Sequence, residues 1–479
     1  MNSNKVELNG FRFKYPTLKE FLAAKNIEKK DISDVLSYLE LLNLDNDLAD
    51  EDTLIKHKGG SKKMGAPSDT SKIKIDNVFK KLEFGTNSPE ILYPFFEKLQ
   101  KLSSSKGKMR IFHYGDSQIE GDRITSYFRQ KLQPKFGGVG PGLVPAMNVY
   151  NTVSFNQTLS ENFKRYTVFW LPDKNLPHKM FGVMGSFARF TPVLPDSLIA
   201  TQSETSGWID ISPSNRASGN ARKYNRVRMY YGNCIAPVLL NVYQGGEIIH
   251  QEKLVMDGGY HNVNLTFDET PENLKYEFKG AYSPDIYFFA LDGNYGLSVD
   301  NIAMRGSSGT FLNGCDLKQM SSMYNELGVE LFIMQYGGNA LPHLKDSVAT
   351  VRYANWFGSQ LKTLKRLKPG AAVIVIGPSD MSVKDGEDFI TYPLLPYLIT
   401  QMKKATFDAG AAYWDIYAAM GGENSMPAWV EKGLAGADYI HFSSSGARYI
   451  AELFSEAFLY EYKCYENAKA NQKETVETN

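Results

Sequence analysis

The stretch MRIFHYGDSQIEGDR (109–123) decides the fold, because a short apolar run ends in glycine and leads into a polar segment with helical spacing. We predict a buried strand at 109–115 and an amphipathic helix at about 121–133. The same alternation returns later in the chain, with predicted strands at 298–306, 329–336, 371–377 and 411–417 and predicted helices at 315–328, 346–367, 393–409 and 444–463. Such alternation predicts a doubly wound α/β domain built on a parallel sheet.

Ser117 stands in the turn between the first predicted strand and its helix. Ligands of open α/β sheets bind at the carboxyl ends of the strands, which is where this turn lies. The Ser117 hydroxyl is therefore a candidate nucleophile, and its N–H a candidate donor to an oxyanion. We expect Asp116 to brace this turn. The alternative is that Ser117 is only a turn or N-cap residue.

The motif Asp438-Tyr439-Ile440-His441 precedes the last predicted helix. A histidine can accept the proton of a serine from a distant strand, and a carboxylate three residues earlier can orient the imidazole. His441 and Asp438 are therefore candidates for the base and its orienting partner. The alternative is that the pair only caps the helix.

Two further loops follow predicted strands. In Gly337-Gly338-Asn339, the side-chain amide can supply a second oxyanion donor. In the loop 305–309, Gly306 allows a backbone N–H to approach an anionic oxygen closely. Each could be an ordinary loop, but in a doubly wound sheet all these positions converge on one edge. Their joint placement predicts a serine-hydrolase site.

Residues 150–297 differ in sequence pattern from the strand–helix segments on either side, with short strand-like runs separated by turns and a hairpin signal at Gly245-Gly246. We predict an inserted all-β domain, a sandwich, at 150–297, flanked by parts 76–149 and 298–465 of the α/β domain. Trp170 and Trp208 lie in this insert, and we expect them to be buried in its core.

Residues 1–75 are predicted to be a helical region and linker, with helices at 18–26 and 32–42 and a flexible stretch at 57–72. Residues 466–479 are predicted to be a polar tail. Lys plus Arg and Asp plus Glu both number 53, so bulk charge directs the protein to neither nucleic acid nor an anionic membrane. No apolar run is long enough to span a bilayer.

Three distant cysteines, Cys234, Cys315 and Cys464, exclude a disulfide framework as the basis of the fold. The remaining histidines have no metal-ligand spacing with acids or cysteines, and we expect no metal or cofactor. MNSNKVELNGF lacks the apolar region of a signal peptide. We expect a periplasmic or secreted protein whose signal peptide is not part of this sequence, with the cytoplasm as the alternative.

The motifs Gly115-Asp116-Ser117, Gly306, Asn339 and Asp438-x-x-His441 resemble the conserved blocks of the SGNH (GDSL-like) hydrolases, over about residues 100–148 and 298–463. The resemblance implies a flavodoxin-like three-layer α/β/α domain and metal-free ester hydrolysis. It also implies an oxyanion hole formed by Ser117, Gly306 and Asn339. Ala340 departs from the usual G-x-N-D block, where an aspartate follows the asparagine.

A narrower resemblance is to bacterial peptidoglycan O-acetylesterases and related carbohydrate esterases, whose β insert resembles a carbohydrate-binding module. It rests on GDSQIEGDR (115–123), FGGVGPG (136–142) and the position of the insert. It implies a serine esterase that removes O-acetyl groups from peptidoglycan or another glycan. Two alternatives stay open: an O-acetyltransferase on the same triad, and a non-catalytic glycan-binding protein.

Overall fold

A computed structural model describes residues 5–8, 11–14, 30–41, 78–169, 173 and 176–477. The helix predicted at 18–26, the linker predicted at 57–72 and Trp170 lie outside these residues. The helix predicted at 32–42 is confirmed as Ser33–Leu41 (α1), with Ile32 and Val35 buried in the core of the α/β domain.

The N-terminal region also contains two strands, Lys5–Leu8 (β1) and Phe11–Lys14 (β2), which pair antiparallel. The prediction of a helical region and linker at 1–75 does not include this pair of strands. Asn9-Gly10 lies between the two strands, and this dipeptide is a strong hairpin signal that the helical interpretation passed over.

The first part of the α/β domain consists of Tyr93–Ser105 (α2), Lys108–Gly115 (β3) and Thr125–Phe136 (α3). Nearly all of β3 is buried, as a central strand of a parallel sheet requires. The helix begins later than predicted because 117–122 form a 3₁₀ turn that is interrupted at Gly121, where φ is 71°.

The segment between α3 and the next strand of the parallel sheet is mostly antiparallel β structure. It includes a short helix, Asp196–Ile199 (α4). Its strands are Gly142–Pro145 (β4), Phe155–Leu159 (β5), Lys164–Thr167 (β6), Ser186–Arg189 (β7), Thr205–Pro213 (β8), Arg226–Gly232 (β9), Val238–Gln244 (β10), Glu247–Lys253 (β11), Tyr260–Thr266 (β12), Leu274–Gly280 (β13) and Asp285–Asp292 (β14).

The chain then returns to strand–helix alternation. The strands are Gly296–Ala303 (β15), Val329–Gln335 (β16), Ala372–Ile376 (β17), Ser382–Asp385 (β18), Asp388–Thr391 (β19) and Ala412–Trp414 (β20). The helices are Leu317–Leu327 (α5), Ser347–Leu367 (α6), Leu395–Asp408 (α7), Ile416–Met420 (α8), Ser425–Glu431 (α9) and Ser444–Glu477 (α10).

The central sheet has five parallel strands in the order β15-β3-β16-β17-β20. Counted along the chain this order is 2-1-3-4-5, as in flavodoxin-like folds. Alternate residues of β3 enter two different buried clusters, with Ile111 on one face and Phe112 on the other. Helices α2, α3 and α10 cover the first face, and α5, α6 and α7 the second. The prediction of a mixed α/β fold on a parallel sheet is confirmed.

The antiparallel strands form two sheets, ordered β11-β10-β13-β8-β5 and β12-β9-β14-β7-β6. Apolar residues of both sheets, such as Phe278 and Phe289, share one buried cluster. Strand β4 lies before the predicted boundary at residue 150, yet it pairs with β14 in the second sheet. Trp208 is not in this core as predicted: it is half-buried, and the Lys275 ammonium lies 4.8 Å from its ring centroid.

A buried ion cluster joins the antiparallel sheets to the parallel sheet. The Arg110 guanidinium on β3 pairs with Asp300 on β15 and with Asp292 at the end of β14. Arg228 on β9 and Lys108 on β3 also pair with Asp292. Each carboxylate is at most 1% exposed, so these contacts fix how the antiparallel strands leave and rejoin the core.

The last helix, α10, is longer than predicted. It runs through the segment 466–477, which belongs to the predicted polar tail. Ala, Glu, Lys and Gln are frequent in this segment, and because all four favour helix, the polar composition does not end the helix.

Candidate active site

The register of the parallel sheet brings three loops to one place. Gly115, the last residue of β3, lies opposite Ala303 of β15 on one side and Gln335 of β16 on the other. The residues that follow each strand therefore emerge side by side at the carboxyl edge of the sheet. This edge is also where the strand order reverses, which is the usual position of ligand sites in doubly wound folds.

The turn after β3 presents Ser117 at this edge. Asp116 caps the turn, and its Oδ1 accepts a hydrogen bond of 2.9 Å from the Gln118 N–H. The preceding position favours glycine, because a Cβ on Gly115 would lie 2.8 Å from the Ile119 Cδ1 atom and the Ile119 side chain would have to move. The predicted bracing role of Asp116 agrees with this contact.

Ser117, His441 and Asp438 form a hydrogen-bonded chain. The Ser117 Oγ lies 2.8 Å from His441 Nε2, and His441 Nδ1 lies 2.7 Å from Asp438 Oδ2. The other carboxylate oxygen of Asp438 accepts the N–H groups of Ile440 and His441, both at 3.0 Å. The sequence-predicted trio is thus brought together by the structure.

The charge state of Asp438 sets the tautomer of His441. Partial burial raises the pKa of Asp438, but the hydrogen bonds from the His441 ring and from the backbone N–H groups outweigh it and hold the pKa below its usual value. An ionised carboxylate can only accept hydrogen bonds, so the proton of a neutral His441 resides on Nδ1. Nε2 then has a free lone pair directed at the Ser117 hydroxyl.

Asn339 also reaches this edge, but its amide already has partners. Its Nδ2 donates to Asp116 Oδ2 at 2.9 Å and to the Ser307 carbonyl at 3.2 Å. Gly306, the residue before Ser307, has a positive φ of 77°. The structure therefore links the two loops that we predicted to supply oxyanion donors, through Asn339 and Ser307.

Asp116 is nearly inaccessible to solvent, and this burial raises its pKa to about 6, although hydrogen bonds from Gln118 and Asn339 act in the opposite direction. His113, on β3, is also buried, and burial lowers its pKa to about 4. Its ring contacts Thr125 at 2.9 Å and Gln335 at 3.0 Å, which fits the predicted structural role.

A cavity of about 190 Å³ opens beside the hydrogen-bonded chain. Residues from the loops after β3, β16 and β17 line it together with the loop that carries His441; they include Ser117, Asn339, His343, Ser379, Met381 and His441. Gly306, although described, is not part of this lining. A second cavity, where the antiparallel strands meet the parallel sheet, measures only about 40 Å³.

Sequence reasoning missed the residues that hold the His441 loop. The Gln118 side chain reaches the backbone on both sides of His441. Tyr439 has a positive φ of 57°, and its ring stacks on Phe389 of the β18–β19 hairpin with centroids 3.8 Å apart. The Asp385-Gly386 pair is a hairpin signal that could have predicted β18 and β19. No sequence pattern indicates that the rings of Tyr439 and Phe389 stack on each other.

Among the residues that the structure describes, no group of three or more His, Cys, Asp or Glu side chains is placed to hold a metal ion. No helix in the described part of the chain is both long and apolar enough to cross a bilayer.

Comparisons with known proteins identify the fold. No family model and no curated protein sequence matches this chain. The chain is similar to the solved structure of a peptidoglycan O-acetylesterase, with 22% sequence identity, coverage of 78% of this chain and 96% of that one, and a TM-score of 0.60. A family two carbohydrate esterase from Cellvibrio japonicus matches at 8% identity over 64% of this chain and 99% of that one, with a TM-score of 0.24. The predicted resemblance to peptidoglycan O-acetylesterases is confirmed as a shared fold.

Proposed function

We propose that this protein is a serine esterase that removes O-acetyl groups from a polysaccharide, with peptidoglycan as the first candidate. The observation that carries the proposal is the hydrogen-bonded chain Ser117–His441–Asp438 beside an open cavity. Such a chain is the arrangement that turns a serine hydroxyl into a nucleophile at neutral pH.

In the proposed reaction, His441 Nε2 takes the proton of Ser117 as the hydroxyl oxygen attacks the ester carbonyl. The C–O bond to the sugar then breaks, and His441 returns the proton to the departing alcohol. Water hydrolyses the acyl-enzyme in a second, equivalent step that uses the same base. Asp438 stabilises the imidazolium that forms in each step.

The oxyanion of each tetrahedral intermediate is proposed to be bound by the N–H groups of Ser117 and Gly306 and by the Asn339 amide. Asn339 would exchange its longer contact, 3.2 Å to the Ser307 carbonyl, for the oxyanion. It would keep the 2.9 Å contact to Asp116, which fixes the amide plane. Donors held in this way cost little reorganisation when charge develops.

The glycan part of the proposal has its own support. The fold is shared over 96% of the length of a peptidoglycan O-acetylesterase. Half-buried Trp208 stands on the outer face of the antiparallel sheet, opposite Glu277 on β13 and on the same face as Asp210. A flat aromatic ring among polar groups is the kind of surface that stacks on sugars, and we propose that the antiparallel sheets act as a carbohydrate-binding module. Periplasmic or secreted localisation is part of this proposal.

The test is a panel of acetylated polysaccharides, including O-acetylated peptidoglycan and acetylated xylan, with detection of released acetate. The proposal predicts acetate release from at least one polymer and none by Ser117→Ala. A protein that binds the polymers but releases no acetate from any of them is a glycan-binding protein instead. Acetate transfer to an added sugar acceptor in preference to water would identify an acetyltransferase.

A further inference from the structure

We propose that Gln118 is a positioning residue that sets His441 against Ser117, an inference that rests on the proposed esterase function. Its side-chain amide pairs with the main chain on both sides of His441. The Nε2 atom donates to the Ile440 carbonyl at 2.7 Å, and the Oε1 atom accepts the Phe442 N–H at 3.5 Å. The amide thus makes the pair of main-chain hydrogen bonds that a neighbouring β-strand would make.

The orientation of this amide is determined by its partners. A carbonyl oxygen only accepts and a backbone N–H only donates, so Nε2 must face Ile440 and Oε1 must face Phe442. The second N–H of Nε2 points to the Ser379 Oγ at 3.3 Å, in the loop after β17. Gln118 therefore uses both donor hydrogens and its acceptor, which neither Glu nor Ala can reproduce.

A second tether runs from the same turn to the same loop. Arg123 Nη1 donates to the Phe442 carbonyl at 3.3 Å, while its Nε donates to the Glu120 carbonyl at 2.9 Å. On the other side, the Ser382 N–H donates to the Tyr439 carbonyl at 3.0 Å. Four main-chain groups around His441 are thus held by three residues that are remote in sequence, and two of these, Gln118 and Arg123, lie in the turn after Ser117.

The consequence is mechanical coupling between nucleophile and base. Gln118 is covalently next to Ser117, so a displacement of the nucleophile turn carries the His441 loop with it. His441 and Asp438 are both partly exposed, at 34% and 49% of their side chains, so close packing does not fix them. The hydrogen bonds of the Gln118 amide hold the His441 loop where packing does not. A displacement of 1 Å between catalytic groups such as Ser117 and His441 costs roughly 100-fold in rate.

The test compares the full-length protein with Gln118→Ala, Gln118→Glu and a control, Gln133→Ala. Gln133 is buried in the same domain and its Nε2 also donates to two carbonyls, those of Gly140 and Leu297, so the control loses a similar number of contacts away from the site. Turnover of 4-nitrophenyl acetate gives kcat and KM. Hydrogen–deuterium exchange of the peptide 438–443 reports the mobility of the His441 loop without requiring turnover.

For Gln118→Ala we expect kcat to fall about 100-fold with little change in KM, and faster exchange in 438–443. Gln118→Glu has a pH signature: its carboxylate repels the Ile440 carbonyl, but once protonated it can donate to it. Its activity relative to the native protein at the same pH should therefore rise as the pH falls. Gln133→Ala should keep the native kcat and the native exchange in 438–443.

Native kcat and native exchange in Gln118→Ala would overturn the inference while leaving the esterase proposal intact. Native kcat in Gln118→Glu at every pH would also overturn it, because the side chain would then only fill space. If the native protein hydrolyses no ester, the esterase proposal fails. Unchanged exchange in Gln118→Ala would then still refute the positioning role of Gln118.

Discussion

The Ser117 hydroxyl and the His441 imidazole lie 2.8 Å apart although 324 positions of chain separate them. The parallel sheet places Ser117 at its carboxyl edge, directly after β3. The loop that carries His441 lies at the same edge and leads into α10. The antiparallel strands lie between β3 and β15 along the chain, yet β3 and β15 pair directly in the parallel sheet. The contact is consequently a property of the whole α/β domain rather than of either motif alone.

Asp438→Asn should lower kcat by about 10²- to 10⁴-fold, with little change in KM. The amide of an asparagine would donate to His441 Nδ1, which forces the ring proton to Nε2 and removes the lone pair that faces Ser117. Asp438 is half exposed, so the unfolding midpoint should change little. Steady-state kinetics with a chromogenic acetyl ester checks this, and a native kcat would mean that Asp438 does not orient the base.

Asn339→Ala should reduce kcat by about 10²- to 10³-fold, as expected for loss of one oxyanion donor. It also leaves Asp116 Oδ2 without the 2.9 Å contact, so some stability is lost as well. The matched control is Asn162→Ala in the antiparallel sheets, whose amide donates to the carbonyls of Phe190 and Ser206. If both variants show the same kcat, Asn339 is only a structural contact.

The fold was largely predictable because its signals are local. Each strand of the parallel sheet is a short apolar run followed by a helix, and parallel strands always end on the same edge, so Ser117, Asn339 and His441 could be placed together. The partners of Gln118 could not be predicted, since its amide meets residues 322 to 324 positions away and nothing in its own neighbourhood encodes them. The orientation of the Asn339 amide toward Asp116 depends in the same way on tertiary structure. The strands β1 and β2 and the extension of α10 through 466–477 were not predicted.

Asp292→Asn should lower the free energy of unfolding by about 3 to 5 kcal/mol, because Arg228 would remain buried without its counter-charge and Arg110 would keep only Asp300. The exposed pair of Lys404 and Asp408 provides the contrast: Asp408→Asn should cost less than about 1 kcal/mol. Chemical unfolding of both variants measures the difference. Equal effects would show that the buried cluster does not stabilise the junction of the sheets.

The stability difference between the native protein and Asp116→Asn should depend on pH between about 4 and about 6. Burial raises the pKa of Asp116 to about 6, so within this window the folded protein holds a proton that the unfolded chain has already released. Raising the pH therefore favours unfolding of the native protein relative to the variant, by on the order of 3 kcal/mol across the window. Thermal unfolding of both proteins at several pH values checks this. A stability difference that does not vary with pH would mean that folding does not raise the pKa of Asp116.

Turnover of a chromogenic acetyl ester by the native protein, Ser117→Ala and a control, Ser321→Ala, tests the central claim most directly. Ser321 donates to the Leu367 carbonyl on the far side of the domain, so its loss should leave turnover intact. The account predicts that Ser117→Ala loses about 10⁶-fold in kcat while remaining folded. Native turnover by Ser117→Ala would contradict the assignment of Ser117 as the nucleophile.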